Sequence, residues 1–185
     1  MLAPRGFEQE VEYWLAFIPE AFARGEMRVW SLLTYALLHA SLFHVLMNAA
    51  MLLALGSFVE RTVGATTFLT IFCLCTIGGA LMFWAFDGGA MIGASGGVAG
   101  LFGTAAVLLW RRRSFDPRAR SIITVVAIIL ALNVGMALLG GGGVAWQAHI
   151  GGLAAGVVYG YAVLDRRPPG GGGGGRRRPH LNVVD

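Results

Sequence analysis

The chain has 185 residues, of which 56% are hydrophobic and 13% are charged, and its formal net charge at pH 7 is +4. A soluble domain carries about a quarter of its residues as charged side chains, so this composition excludes an ordinary soluble enzyme and indicates an integral membrane protein. All 14 basic residues are arginine, and they lie in loops and a tail, which argues against a nucleic-acid-binding face.

The first 31 residues contain no long apolar run. Residues 11–22 are amphipathic, and Glu12, Pro19 and Glu20 interrupt them. Because of its acidic residues and the lack of a clean apolar core, we do not expect a secretory signal peptide in this segment. We interpret residues 1–31 as an outer, interfacial segment.

Five apolar runs follow, which we interpret as membrane spans; a span takes roughly 20 residues and about 17 at the short end. They extend over residues 32–59, 66–86, 95–110, 122–139 and 146–164. We therefore predict an all-α membrane protein with five transmembrane helices in a domain of residues 32–165. Residues 166–185 are rich in Arg, Gly and Pro, which predicts a disordered tail.

The distribution of arginine predicts the orientation. The turn after the first run, the loop after the third run and the tail carry arginine, whereas the loops at 87–94 and 140–145 carry no basic residue. Basic loops stay in the cytoplasm, so the C-terminus is expected inside and the two loops without arginine outside. The exclusive use of arginine suggests a GC-rich bacterial genome, and we predict a bacterial plasma membrane.

Four polar residues lie inside these runs, and such residues are functional candidates because they are costly in a bilayer. His44, Ser95 and His149 each precede the next charged residue on the cytoplasmic side by sixteen positions. At about 1.5 Å per helical residue, all three lie about 24 Å from the inner boundary. Asn48 follows His44 by one turn on the same face. Because these polar side chains share one depth, we predict a water-filled pocket that opens to the outside.

Ser95 begins its apolar run inside the glycine-rich stretch GASGGVAG, residues 93–100. A helix start leaves N–H groups unpaired and carries partial positive charge, which suits a developing oxyanion. Small residues at four-residue spacing follow both Ser95 and His149, so their two helices can approach closely. An imidazole beside a serine hydroxyl is an activated nucleophile. No carboxylate lies at this depth, so a Ser–His dyad is expected.

Each of these residues also has a structural interpretation. Ser95 suits small-residue helix packing, and His149 and the pair His44–Asn48 suit interhelical hydrogen bonds. A zinc site is disfavoured because no carboxylate or thiolate ligand accompanies His39, His44 and His149 at this depth. We predict neither a metal nor another cofactor.

At these residues the chain resembles the rhomboid intramembrane serine proteases. The matching segments are HASLFHVLMN at 39–48, GSFVE at 56–60, GASG at 93–96 and AHIGGLAAG at 148–156. The resemblance implies a rhomboid-like helical bundle. The family core has six spans, and its first has no counterpart in residues 1–31. The family also favours Trp-Arg in this outer segment, where the chain has Trp30-Ser31.

The resemblance implies that Ser95 is the nucleophile and His149 its base. It assigns stabilisation of the oxyanion to three further residues, namely His44, Asn48 and Gly93. His39 is similar to the family's outer histidine near the water-retention site. The implied substrate is a single-span membrane protein, cut near the extracytoplasmic end of its transmembrane helix.

Two other functions compete with this one. A catalytically inactive rhomboid-like protein would bind transmembrane clients without cutting them, and the missing first span favours it. A small channel or transporter would use the polar layer for passage, but apolar residues block the inner side of that layer.

Overall fold

The computed structural model describes residues 6–26, 28–86, 89–112 and 145–165, with the isolated positions 121, 124, 127, 128 and 131. The helices whose bounds it gives are α1 (Phe7–Leu15), α2 (Pro19–Ala23), α3 (Ser31–Thr34), α4 (Leu42–Val63), α5 (Ala65–Phe86), α6 (Ser95–Arg112) and α7 (Trp146–Asp165). A 3-10 turn, Tyr35–Leu37, follows α3. The predicted all-α class is confirmed for the described residues.

The predicted first span, 32–59, is wrong at its beginning. Helix α4 begins at Leu42, because Ser41 is extended and its Oγ accepts a hydrogen bond from the N–H of His44 at 3.1 Å. Such a cap supplies an acceptor to an N–H that has none inside the helix. The helix continues past the predicted end to Val63 and stops at Gly64, whose φ of 86° favours glycine.

The helices at the second, third and fifth predicted runs begin close to their predicted positions. Helix α5 begins at Ala65, one residue before the predicted run, and α6 and α7 begin at Ser95 and Trp146. Within the described part of the chain, α4 and α5 are the two helices long and apolar enough to cross a bilayer. The predicted fourth span lies mostly outside the described residues, and the predicted tail lies wholly outside them.

Helices α5, α6 and α7 pack closely through small residues, and α6 and α7 make the most extensive contact among the described elements. A Cβ atom on Gly152 would overlap the carbonyl of Gly96. The hydroxyl of Thr104 donates to the carbonyl oxygen of Gly156 across the same interface at 2.9 Å. Main chain therefore lies against main chain, and this close approach is a common way to hold helices together in a bilayer.

The N-terminal segment is held together by Arg28. This side chain is 1% exposed, its guanidinium lies 4.3 Å from the ring centre of Tyr13, and it donates to the Tyr13 carbonyl. Its Nη2 also lies 3.3 Å from Glu26. The Tyr13 hydroxyl donates to Glu26 at 2.8 Å, and this hydrogen bond lowers the pKa of the Glu26 carboxyl. This buried arginine lies two positions before Trp30, and no feature of the sequence pattern predicts its burial.

A pair of backbone hydrogen bonds joins the N-terminal segment to the loop before α6. The N–H of Phe17 donates to the carbonyl of Met91 at 3.1 Å, and the N–H of Met91 donates to the carbonyl of Phe17 at 2.9 Å. Both side chains belong to one buried apolar cluster that also contains Tyr35, Ala80 and Phe83. The segment before the first span thereby contacts the turn that leads to Ser95.

Candidate active site

Ser95 and His149 meet at the beginnings of two helices. Ser95 is the first residue of α6, and His149 lies in the first turn of α7. Ser95 Oγ lies 2.7 Å from His149 Nε2. The serine is partly exposed, whereas the histidine side chain is buried. This distance is that of a short hydrogen bond between a hydroxyl and an imidazole.

No carboxylate orients the histidine from within the described residues. The Nδ1 atom of His149 is buried and has no hydrogen-bond partner in that part of the chain. The same residues bring together no three side chains of the types that hold a metal ion. Packing positions the imidazole, since Gly152, one turn along α7, lies directly against Gly96, the residue after Ser95.

His44 faces the turn that precedes Ser95. A Cβ atom on Gly93 would lie 2.9 Å from the Nε2 atom of His44, so the imidazole rests against the bare Cα of this glycine. Gly93 has a φ of 114°, a backbone conformation that disfavours side chains. The histidine is in the first turn of α4, and the cap of that helix fixes its position.

Gly93 is expected to help stabilise the oxyanion, but its N–H already has a hydrogen-bond partner. Its N–H donates to the carbonyl oxygen of Tyr35 at 2.9 Å. A donor that already has a partner is not free for an oxyanion. What Gly93 supplies in the structure is the space that His44 fills.

Asn48 is buried one turn beyond His44 on α4. Its Nδ2 donates to the carbonyl oxygen of His44 at 3.0 Å, and its Oδ1 has no partner among the described residues. An amide nitrogen carries two hydrogens, so one remains for another acceptor. The bond ties the amide to the backbone of the histidine beside it.

His39 lies outside the helices, in the short stretch before Ser41. Its ring meets the ring of His44 edge to face, with centroids 4.9 Å apart and an interplanar angle of 74°. Its Nε2 is buried without a hydrogen-bond partner among the described residues. His39 therefore packs directly against the His44 ring.

Substitution of Gly93 by alanine is expected to lower the free energy of unfolding by about 1–3 kcal/mol, the usual cost of a strained backbone conformation. The added methyl group would also press on the His44 ring. Thermal unfolding in detergent measures the change. Gly6→Ala is the matched control, because a methyl there meets no atom within 4 Å and the φ of Gly6 is −66°. Equal stability of the two variants would contradict the strain.

Known proteins are similar to this chain over most of its length. The rhomboid-domain family model matches residues 26–166. The chain is 33% identical to RHOMBOID-like protein 4 and 32% identical to RHOMBOID-like protein 1, both of Arabidopsis thaliana, over 141 and 140 residues. It is 32% identical over 134 residues to Rhomboid protease GluP of Bacillus subtilis (strain 168).

These matches cover 74%, 75% and 72% of this chain, in the same order. They cover 34%, 35% and 25% of the relatives. The chain thus spans about a third of the length of the two plant relatives that it matches and about a quarter of the bacterial one.

Proposed function

Because this chain belongs to the membrane-embedded rhomboid family, we propose that it is an intramembrane serine endopeptidase. The observation that carries the proposal is the 2.7 Å separation of Ser95 Oγ and His149 Nε2. Two relatives are named only as rhomboid-like and one is named as a protease.

His149 acts as the general base for Ser95. As the serine oxygen attacks the carbonyl carbon of the substrate peptide bond, its proton passes to His149 Nε2. The same nitrogen then returns the proton to the leaving amine. The acyl-enzyme on Ser95 is hydrolysed by water, again with His149 as base. Burial of the imidazole beside closely packed helices takes the place of an orienting carboxylate.

The tetrahedral intermediate carries a negative charge on the former carbonyl oxygen. Ser95 begins α6, so its N–H has no acceptor inside the helix and is suited to this charge. His44 beside Gly93 and the spare amide hydrogen of Asn48 are the proposed further donors. Each donor of this kind is typically worth about 10²–10³-fold in rate.

The substrate is proposed to be a single-span membrane protein, cut near the extracytoplasmic end of its helix. The arginine distribution supports a cytoplasmic C-terminus and an active site on the opposite side. A bacterial plasma membrane fits the exclusive use of arginine. At the end of α6 away from Ser95, the Arg111 guanidinium lies 5.2 Å from the ring centre of Tyr161, close to the end of α7.

A vesicle assay with a single-span reporter helix tests the proposal. The purified chain is expected to cut the reporter and to react with a fluorophosphonate probe at Ser95, because that reagent requires an activated serine. Probe attachment is located by mass spectrometry. A protein that captures the reporter but neither cuts it nor takes the probe would instead be a client-binding rhomboid-like protein.

A further inference from the structure

Tyr35 is among the most deeply buried side chains near the candidate site. It belongs to the 3-10 turn before α4 and is 1% exposed. Its hydroxyl donates a hydrogen bond to the carbonyl oxygen of Thr76 on α5 at 2.9 Å. A buried phenol needs such a partner, so this bond fixes the direction of the ring.

The backbone of the same residue holds the turn before Ser95. The carbonyl oxygen of Tyr35 accepts the hydrogen bond from the N–H of Gly93 at 2.9 Å. Gly93 has a left-handed backbone conformation and lies two residues before Ser95. The side chain of Tyr35 thus bonds to α5, while its main chain bonds to the turn before Ser95.

The hydroxyl of Tyr35 also lies where α6 and α7 approach each other. A Cβ atom on Gly96 would lie 3.1 Å from this oxygen and 3.3 Å from the carbonyl oxygen of Ala148. Gly96 follows Ser95, and Ala148 precedes His149. On α5, a Cβ atom on Gly79 would meet the same two oxygens at 3.2 and 2.9 Å. One phenolic oxygen therefore fills the space left by glycines on two helices, beside the neighbours of both reactive residues.

We propose that Tyr35 is a positioning residue that sets the separation of Ser95 and His149. The proposal rests on the proposed peptidase function and names a residue that supports it without contacting the reacting atoms. Without the hydroxyl, the space beside Gly96 and Ala148 is open. Helix α5 also loses its hydrogen bond to the 3-10 turn that contains Tyr35. A shift of about 1 Å between reacting groups can cost 10²-fold in rate.

The test compares Tyr35→Phe with Tyr159→Phe. Tyr159 on α7 is partly buried against a second apolar cluster, which includes Leu55 and Leu101. It lies ten residues beyond His149, so its variant loses a phenolic oxygen far along the helix from the site. Tyr35→Phe is expected to lower kcat for the reporter helix about tenfold or more, with KM within about twofold of the unsubstituted protein. The rate of fluorophosphonate reaction at Ser95 should fall in parallel. Tyr159→Phe should leave both rates within about twofold.

Thermal unfolding separates positioning from general stability. The two phenylalanine variants are expected to unfold within a few degrees of each other, because the hydrogen bond that Tyr35 loses to Thr76 contributes little net stability by itself. The role of Tyr35 would be overturned if Tyr35→Phe reacted with the probe as fast as Tyr159→Phe. It would also be overturned if the rate of Tyr35→Phe fell only as much as its folded fraction. If the unsubstituted protein neither cuts the reporter nor takes the probe, the proposed function itself fails.

Discussion

Replacing Ser95 by alanine is expected to reduce cleavage of the reporter helix by roughly 10⁴-fold or more. The reason is that Ser95 Oγ is the atom placed 2.7 Å from the imidazole of His149. Removal of His149 as base, in His149→Gln, should cost nearly as much, because a serine hydroxyl without a base is a weak nucleophile. Cleavage is measured by gel shift of the reporter under single-turnover conditions.

The two substitutions are expected to be strongly non-additive. Residues that act as one unit lose nearly the whole rate when either is removed, so the double variant should be no slower than Ser95→Ala alone. Ser57→Ala provides the matched control, since Ser57 lies on α4 thirteen residues beyond His44, which is about 20 Å along the helix. Residual cleavage by Ser95→Ala within tenfold of the unsubstituted protein would exclude Ser95 as the nucleophile.

Substitution of Gly152 by valine is expected to abolish cleavage and to destabilise the fold. Any side chain at this position would overlap the backbone carbonyl of Gly96, and a backbone cannot rotate away as a side chain can. Helices α6 and α7 must therefore separate, which carries His149 away from Ser95. Overpacking of this kind costs about 1–3 kcal/mol and occasionally more. Cleavage and thermal unfolding should be measured together.

Ala154→Val is the control for this substitution. Ala154 lies two residues further along α7 and is exposed, so its variant adds bulk to the same helix without meeting α6. It should retain cleavage within about twofold and the original unfolding temperature. Full activity of Gly152→Val would mean that the close contact of α6 and α7 does not determine the distance between the reactive atoms.

The meeting of Ser95 and His149 could be predicted from the sequence because helices in a bilayer have few degrees of freedom. The rise per residue is fixed and the charged ends mark the boundaries, so position along the chain gives depth. Small residues after both Ser95 and His149 then identify the faces that pack together. The structure places these two side chains at hydrogen-bond distance.

Other features could not be predicted, because they depend on contacts between distant parts of the chain. The apolar run that starts at Leu32 continues without a charged residue to Val59, yet a non-helical stretch, residues 38–41, separates the Tyr35–Leu37 turn from α4. The N–H of Gly93 is occupied by a carbonyl far away in sequence. Arg28 is buried by Tyr13 and Glu26, although an arginine in an interfacial segment is usually solvated.

The hydrogen-bonded pair of Phe17 and Met91 has a practical consequence for anyone who shortens this chain for expression. The family match begins at residue 26, after Phe17. A version trimmed to that boundary would leave the N–H and the carbonyl of Met91 without their partners, four residues from Ser95. A recombinant fragment that keeps this hydrogen-bonded pair therefore needs a boundary upstream of Phe17, although that stretch lies outside the family match.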